Sequence, residues 1–141
     1  MTTVFTKIID GVFPGRFVWS DERAVAFLSI NPLGPGHTLV VPREEVDRWV
    51  DADPGLNAHL NAVAHVVAQA VQRVWDPPRV GLVIAGFEVP HLHLHVFPAW
   101  RLGAFDFATA ARSVDDAEQD GYRDQLRAAL REAGHGADVP D

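Results

Sequence analysis

The chain has 141 residues and a formal net charge of −7, with 48% hydrophobic and 22% charged residues. This length suits one domain with a single core, and the charge argues against nonspecific binding to nucleic acid or to anionic membranes. Because there is no cysteine, disulfides and thiolate metal ligands are excluded. No apolar run reaches the ~18 residues of a membrane span and no signal pattern opens the chain, so a cytoplasmic location is expected.

The first part of the chain predicts a short helix and three strands. Apolar residues at helical spacing over Thr3–Asp10 indicate a helix that ends at Gly11. The segments Phe17–Trp19 and Ala24–Leu28 read as the two strands of a hairpin. A third strand is predicted over His37–Pro42, where the proline ends it.

A long helix is predicted in the middle of the chain. Asp53 suits the N-cap and Pro54 the first helical position. One face carries apolar residues at helical spacing as far as Trp75, namely Leu56, Leu60, Val63, Val67, Val71 and Val74. A shorter helical turn is predicted before it, over Arg43–Trp49.

Two further strands are predicted as a hairpin. A buried strand over Val80–Ala85 is joined by the tight connection Ala85–Val89 to the segment Pro90–Pro98. A connection this short places three residues beside the side chains of the second strand: Gly86, Phe87 and Glu88. Glycine at the first of these positions permits close approach of backbone to a ligand, although a simple turn explains it equally well.

The segment Pro90–Pro98 alternates histidines with aliphatic residues. Because side chains alternate along a strand, His91, His93 and His95 fall on one face and the aliphatic side chains on the other. Three interpretations follow: a solvated strand face, a metal site such as zinc, or nucleophilic and acid–base chemistry without metal. Spacing alone leaves the last two equal.

The end of the chain predicts an irregular aromatic segment and one more helix. Ser113 or Asp115 suits the cap of a helix that runs to Ala133 and stops at Gly134. The predicted organisation is a domain over residues 1–112, a C-terminal helix over residues 113–134 packed on or near it, and a flexible tail over residues 135–141. Strands, a helix and further strands in this order indicate an antiparallel α+β fold.

From about Phe5 to Arg101 the sequence resembles the histidine-triad (HIT) family, in its bacterial branch. The resemblance rests on four segments in order: Phe5–Gly11 with Pro14, Ala26–Ile30 with Pro32, Gly36–Pro42, and Val89–Pro98. The last carries the His-φ-His-φ-His-φ-φ signature, where φ is apolar. It implies a HIT-like fold: an antiparallel five-stranded sheet, a long helix on one face, a short N-terminal helix and a C-terminal helix.

The resemblance also implies an activity. Such proteins are nucleotidyl hydrolases or transferases that act at the α-phosphorus of AMP-like compounds, namely nucleoside phosphoramidates, dinucleoside polyphosphates or acyl-adenylates. By motif position His93 is the nucleophile that forms a nucleotidyl-histidine, and His91 orients it. His95 binds phosphoryl oxygens or assists the leaving group, and His37 lines the pocket. A purine nucleotide substrate, a homodimer and the absence of a cofactor are expected.

The sequence departs from the family pattern at the nucleotide site. Many members have Gln and Ser where Phe87 and Glu88 stand, and often an acidic residue that holds the ribose where Ser29 stands. The expected substrate-binding residues are His37, Ser29, Ile30, Gly86, Phe87 and Glu88. These departures keep open a second reading, a nucleotide-binding module with little catalysis.

A structural zinc occurs in some bacterial members of the family. Its ligands are a Cys-x-x-Cys near the N-terminus and a histidine after the third strand. This chain has Thr3, Thr6 and Glu45 in those places. No metal is therefore expected, and a metal-dependent hydrolase is the third reading.

Overall fold

The computed structural model, which describes residues 2–141, centres on an antiparallel sheet of five strands. The strands are β1 (Phe17–Ser20), β2 (Ala24–Leu28), β3 (Thr38–Pro42), β4 (Arg79–Val83) and β5 (Leu94–Ala99), in the spatial order β1-β2-β3-β5-β4. The α-helices are α1 (Val4–Ile9), α2 (Pro54–Trp75) and α3 (Asp116–Leu130). The predicted α+β class, with its five antiparallel strands and three helices, is confirmed.

The two faces of the sheet bury different side chains. The face under α2 carries the larger core, which includes Leu94 and Val96 of β5 and the apolar stripe of the helix. The opposite face carries a smaller cluster with α1, made of Phe5, Val25, Phe27, Leu39 and Val41. Because both faces are covered, β2 and β3 are buried along their whole length. Burial of each large aliphatic side chain contributes about 1.5–3 kcal/mol.

The long helix α2 begins and ends where the sequence predicts. The Asp53 carboxylate accepts hydrogen bonds from the backbone N–H groups of Gly55 and Leu56, which satisfies two free donors of the first turn. The helix ends at Asp76, whose left-handed conformation (φ 48°) closes the last turn. The turn predicted over Arg43–Trp49 lies later, as a short 3-10 helix over Trp49–Asp51.

The connection between β4 and β5 is longer than predicted. Regular pairing starts with Val83 opposite His95, so His91 and His93 lie beyond the end of β4. The prediction of a tight hairpin connection is therefore wrong. The backbone N–H of Leu92 instead donates to the carbonyl of Val46, at 2.8 Å, and the Leu92 side chain joins the main core with Leu94 and Val96.

The C-terminal part folds onto the sheet and α2. Asp115 caps α3, as one of the two predicted alternatives, and Arg16 before β1 pairs with Asp116 and Asp120 of the helix. Residues 135–141, predicted as a flexible tail, turn back against the domain, and Val139 joins the main core. Within residues 2–141, no helix has both the length and the hydropathy needed to cross a membrane.

Candidate functional site

Three histidine rings meet on the sheet face that α1 covers. His37 precedes β3, and the pairing of β3 with β5 brings its ring centroid to 5.2 Å from that of His95. The ring of His93 lies 4.9 Å from His95 on the other side. His37 and His93 are buried, whereas His95 is partly exposed. The predicted catalytic His93 and His95 and the predicted pocket residue His37 therefore form one cluster.

The hydrogen bonds of His93 determine which of its nitrogens is free. Its Nδ1 lies 2.7 Å from the backbone carbonyl oxygen of His91. A carbonyl only accepts, so Nδ1 carries the proton and donates it. In the neutral ring Nε2 then holds an unshared lone pair, which is the requirement for a nucleophile.

A chain of hydrogen bonds gives His95 the opposite tautomer, with its proton on Nε2. The backbone N–H of Leu33 donates to Nδ1 of His37 at 2.9 Å, so in the neutral ring Nε2 of His37 carries the proton. This Nε2–H donates to Nδ1 of His95 at 3.0 Å. His95 must then carry its proton on Nε2. The site therefore places a free lone pair on His93 next to a free N–H donor on His95.

Burial keeps these rings neutral. Desolvation lowers the pKa of His37 to about 3, with smaller contributions from the nearby His95 and His93. Desolvation also lowers the pKa of His95 to about 4, again with a contribution from His93. The pKa of His93 is lowered by the same cause, and the hydrogen bond to His91 opposes that shift. At neutral pH all three rings are uncharged and carry one proton each, as the tautomer assignments require.

The stability of the protein is expected to fall on acidification between pH 6.5 and 4. The unfolded chain protonates its histidines near 6.5, whereas the folded chain keeps His37 and His95 neutral down to about pH 3 and 4. The unfolded state thus binds more protons in this window, and the free energy of unfolding decreases as the pH falls. Urea unfolding across this range measures the slope. Replacing His37 with Gln should flatten it by about one proton, and an unchanged slope would contradict the buried neutral state.

The predicted orienting residue, His91, lies behind the cluster rather than in it. Its ring is fully buried, Nε2 lies 2.7 Å from the Pro42 carbonyl, and Nδ1 lies 2.7 Å from Oγ1 of Thr3. Its contact with His93 is through its own backbone carbonyl. His91 therefore acts through the orientation of His93, and its imidazole has no free nitrogen for a substrate.

Aromatic residues that pack on the histidines are missing from the predicted site, among them Phe5 and Phe107. Phe5 of α1 packs edge-on against His91 and His93, at centroid distances of 5.6 and 5.0 Å. Phe107, in the irregular segment after β5, packs against His95 at 4.8 Å. The aromatic content of that segment was a signal, but the sequence did not say which ring turns toward the histidines.

The other predicted binding residues are scattered around the cluster. Ser29 is buried, and its Oγ accepts the N–H of Asn31 at 3.1 Å. Ile30 and Phe87 are exposed, the latter by 96%, and Glu88 is exposed as well. Gly86 has φ +79° and open space where a Cβ would lie, so glycine serves the left-handed backbone conformation there. Of this group only Glu88 has an electrostatic effect on the cluster, since it raises the pKa of His93.

A cleft of about 600 Å³ lies away from the histidines. It is lined by Asp21, Glu22, Arg23, Arg43, His59 and Asp138. Its central charge is already satisfied, because the Asp21 carboxylate pairs with His59 at 2.8 Å and also accepts from Trp19 and two backbone N–H groups. The histidine cluster, with its free lone pair and donor, has the reactive groups that this cleft lacks.

The fold and the histidine cluster together define an α+β histidine-triad domain. The family model of the HIT domain matches residues 10–101. The chain belongs to the HIT family, a superfamily of nucleotide-binding hydrolases and transferases. The family resemblance noted in the sequence is confirmed.

Three relatives illustrate the likeness. An uncharacterized HIT-like protein of Borreliella burgdorferi is 35% identical over 111 residues, which cover 74% of this chain and 80% of that protein. A Zn-bound histidine triad family protein from Mycobacterium smegmatis matches with a TM-score of 0.79 and 28% identity, over 96% of this chain and 98% of that chain. The asymmetrical bis(5'-nucleosyl)-tetraphosphatase of Schizosaccharomyces pombe is 34% identical over 82 residues, which cover 55% of this chain and 45% of that enzyme.

The residues at the zinc positions implied by the family do not fit the metal. Thr3 and Thr6 offer hydroxyl groups, whereas zinc in proteins takes thiolate, imidazole and carboxylate ligands. Those hydroxyls already have partners: Oγ1 of Thr6 donates to Glu45, Oγ1 of Thr3 lies 2.7 Å from Nδ1 of His91, and the two oxygens lie 3.2 Å apart. Across residues 2–141, no three His, Asp or Glu side chains are grouped to hold an ion.

Proposed function

We propose that this protein is a nucleotidyl hydrolase or transferase in which Nε2 of His93 attacks the α-phosphorus of an AMP-like substrate. The observation that carries the proposal is the pairing of the free His93 lone pair with the free Nε2–H of His95. An attacking group and a donor for developing phosphoryl charge stand side by side in a largely buried site.

The proposed reaction has two displacements. In the first, a bond forms between Nε2 of His93 and phosphorus, and the bond from phosphorus to the leaving group breaks, with solvent supplying the leaving group's proton. The His93 ring becomes positive as it bonds, and its Nδ1–H donates to the His91 carbonyl, which stabilises that charge. His95 donates its Nε2–H to a phosphoryl oxygen. In the second, water attacks phosphorus, releases its proton to solvent, and frees His93.

The proposed substrates are purine nucleoside phosphoramidates, dinucleoside polyphosphates or acyl-adenylates, cleaved without cofactor or metal. Membership of the HIT family supports nucleotide substrates, and the similarity to the fission yeast tetraphosphatase supports phosphoanhydrides among them. The neutral histidines support the metal-independent route because they supply both the nucleophile and the donor.

Mass spectrometry tests the proposal directly. The protein is mixed briefly with a nucleoside phosphoramidate or a dinucleoside polyphosphate, quenched, and digested. One nucleotidyl group on the peptide that contains His93 is expected. A label on His95 or on no histidine, under conditions of turnover, would refute the assignment of the nucleophile.

The second candidate is a nucleotide-binding module with little catalysis. The observation that favours it is the negative charge of Glu88, which acts on the pKa of His93 and would oppose an incoming phosphate. Tight binding of AMP together with no turnover across phosphoramidates, polyphosphates and adenylates would establish this function in place of the first.

The carboxylate of Glu88 is expected to select the leaving group. Glu88 is the acidic group that acts on the pKa of His93, and no lysine or arginine of residues 2–141 shifts the pKa of His37, His93 or His95. A polyphosphate leaving group is therefore repelled, whereas a cationic amine is attracted. Exposed charges interact by about 0.2–1 kcal/mol, so Glu88→Gln should improve kcat/KM for a dinucleoside polyphosphate by up to about fivefold relative to a phosphoramidate.

The control for this prediction is Glu22→Gln. Glu22 is an exposed carboxylate in the turn between β1 and β2, so its loss changes net charge equally without touching the cluster. Equal shifts in both variants would trace the effect to net charge rather than to Glu88.

We further propose a cytoplasmic homodimer that forms along the edge strand β4. β4 leaves one side of its backbone unpaired, and apolar side chains in and near it are exposed, namely Leu82, Phe87, Trp100 and Leu102. An antiparallel edge pairs with its own copy about a twofold axis, which joins two sheets side by side. Sedimentation of the protein and of Leu82→Lys tests this, since the charge should release monomers.

A further inference from the structure

A short hydrogen-bonded chain links the start of α1 to the back of the histidine cluster. Oγ1 of Thr3 lies 2.7 Å from Nδ1 of His91, and Nε2 of His91 lies 2.7 Å from the carbonyl oxygen of Pro42. His91 is fully buried, so these two partners account for both of its ring nitrogens.

The positions of the protons follow from the partners. The Pro42 carbonyl only accepts, so Nε2 of His91 carries the proton and, in the neutral ring, Nδ1 accepts. Thr3 must then donate its single hydroxyl proton to Nδ1, the shorter of its two contacts, rather than to Oγ1 of Thr6, which lies 3.2 Å away. The same oxygen accepts the backbone N–H of Thr6 at 3.1 Å, so one threonine caps the helix and fixes the imidazole.

The helix that carries Thr3 is held in place from outside. With 6 residues, α1 is too short to be stable alone in water. Oε1 of Glu45 accepts from the backbone N–H of Thr3 at 3.0 Å and from Oγ1 of Thr6 at 2.5 Å. Phe5, between them, packs edge-on against His91 and His93. The helix therefore places the Thr3 hydroxyl and the Phe5 ring in contact with the buried side of the cluster.

We propose that Thr3 is a positioning residue for the reaction at His93. By donating to Nδ1 of His91, it holds that ring in the Nε2–H tautomer between Thr3 and Pro42. The fixed ring keeps the His91 backbone carbonyl where it accepts from Nδ1 of His93, 2.7 Å away, and this in turn leaves Nε2 of His93 free. The catalytic part of the inference rests on the proposed function, whereas the structural part, the tautomers of the two rings, does not.

Nitrogen-15 NMR of the histidine side chains tests the structural part. In the unmodified protein, His91 is expected in the Nε2–H form and His93 in the Nδ1–H form. In Thr3→Val, which keeps the shape but loses the donor, Nδ1 of His91 has no partner and both rings should show mixed tautomers. Thr3→Ser should restore the original signals, and Thr2→Val, a change at an exposed neighbour, should leave them as they are.

Turnover of a nucleoside phosphoramidate tests the catalytic part. Loss of the outer hydrogen bond to a metal-ligating histidine typically costs 10- to 100-fold, and at the lower end of that scale kcat of Thr3→Val should fall about tenfold while KM stays within about twofold. Thr3→Ser should recover most of kcat. A Thr3→Val variant that lost stability alone, as a missing helix cap predicts, would keep its kcat below the unfolding temperature and would overturn the proposal.

The outcomes for Thr3 and for the proposed function are separable. Expected tautomers in a protein that turns over no nucleotide would leave the structural part of the inference intact and would refute the proposed activity together with the catalytic part. A His91 ring found as the Nδ1–H tautomer in the unmodified protein would overturn the role of Thr3, whatever the activity. This second measurement needs no variant, so it decides the matter even where Thr3→Val fails to fold.

Discussion

His93→Ala is expected to lower kcat for a nucleotide substrate by roughly 10³-fold or more, the scale on which loss of a catalytic nucleophile acts. His93 holds the one free imidazole lone pair next to the free donor of His95, and water cannot occupy its position with the same orientation. Steady-state turnover of a phosphoramidate measures the loss. Turnover within a few-fold of the original would contradict the nucleophilic role.

Two controls separate chemistry from folding in the His93 variant. His65→Ala removes a histidine from the exposed face of α2 and should have no effect on turnover. Added imidazole should restore part of the activity of His93→Ala, because the truncation leaves a ring-sized space beside Phe5 and His95. A His93→Ala protein that is merely unfolded gains no activity from imidazole. AMP binding distinguishes an inactive folded protein from an unfolded one.

The sequence was sufficient for the elements whose signals are local. The cap and apolar stripe of α2 predicted both of its ends, and the alternation in Pro90–Pro98 predicted that Leu92, Leu94 and Val96 face the core. It could not predict the length of the connection before β5. That connection depends on the hydrogen bond from Leu92 to Val46, a contact between distant segments.

The sequence named the three histidines that cluster, His37, His93 and His95, but not how they are arranged. His37 read as a lone histidine, because its contact with His95 arises only from the pairing of β3 with β5, which are 58 positions apart at these residues. Thr3 read as the start of a helix, and nothing local marks its bond to His91, 88 positions away. The tautomers depend on such distant partners, so the fold decides which nitrogen of each imidazole donates and which accepts.

Gly36→Ala is expected to reduce the free energy of unfolding by about 3 kcal/mol. Gly36 has φ +73°, in the left-handed region, where a Cβ costs about 1–2 kcal/mol. That Cβ would also overlap the ring of Trp75 at the end of α2, and overpacking of this kind costs roughly 1–3 kcal/mol. Trp75 has little room to retreat, since Tyr122 of α3 packs against it edge-on at 5.5 Å. Urea unfolding measures the change.

The matched control is Gly86→Ala. Gly86 has φ +79° and no atom within 4 Å of the place that a Cβ would take, so alanine there carries the backbone strain without the overlap. Its expected cost is about 1 kcal/mol in free energy of unfolding. Equal losses at both positions would show that the Trp75 ring moves aside at no cost. A double variant with Trp75→Leu should recover part of the Gly36→Ala loss, because the smaller side chain makes room.

Since His37 directly follows Gly36 and donates to His95, the same overlap should lower kcat as well as stability, whereas Gly86→Ala should lower stability alone.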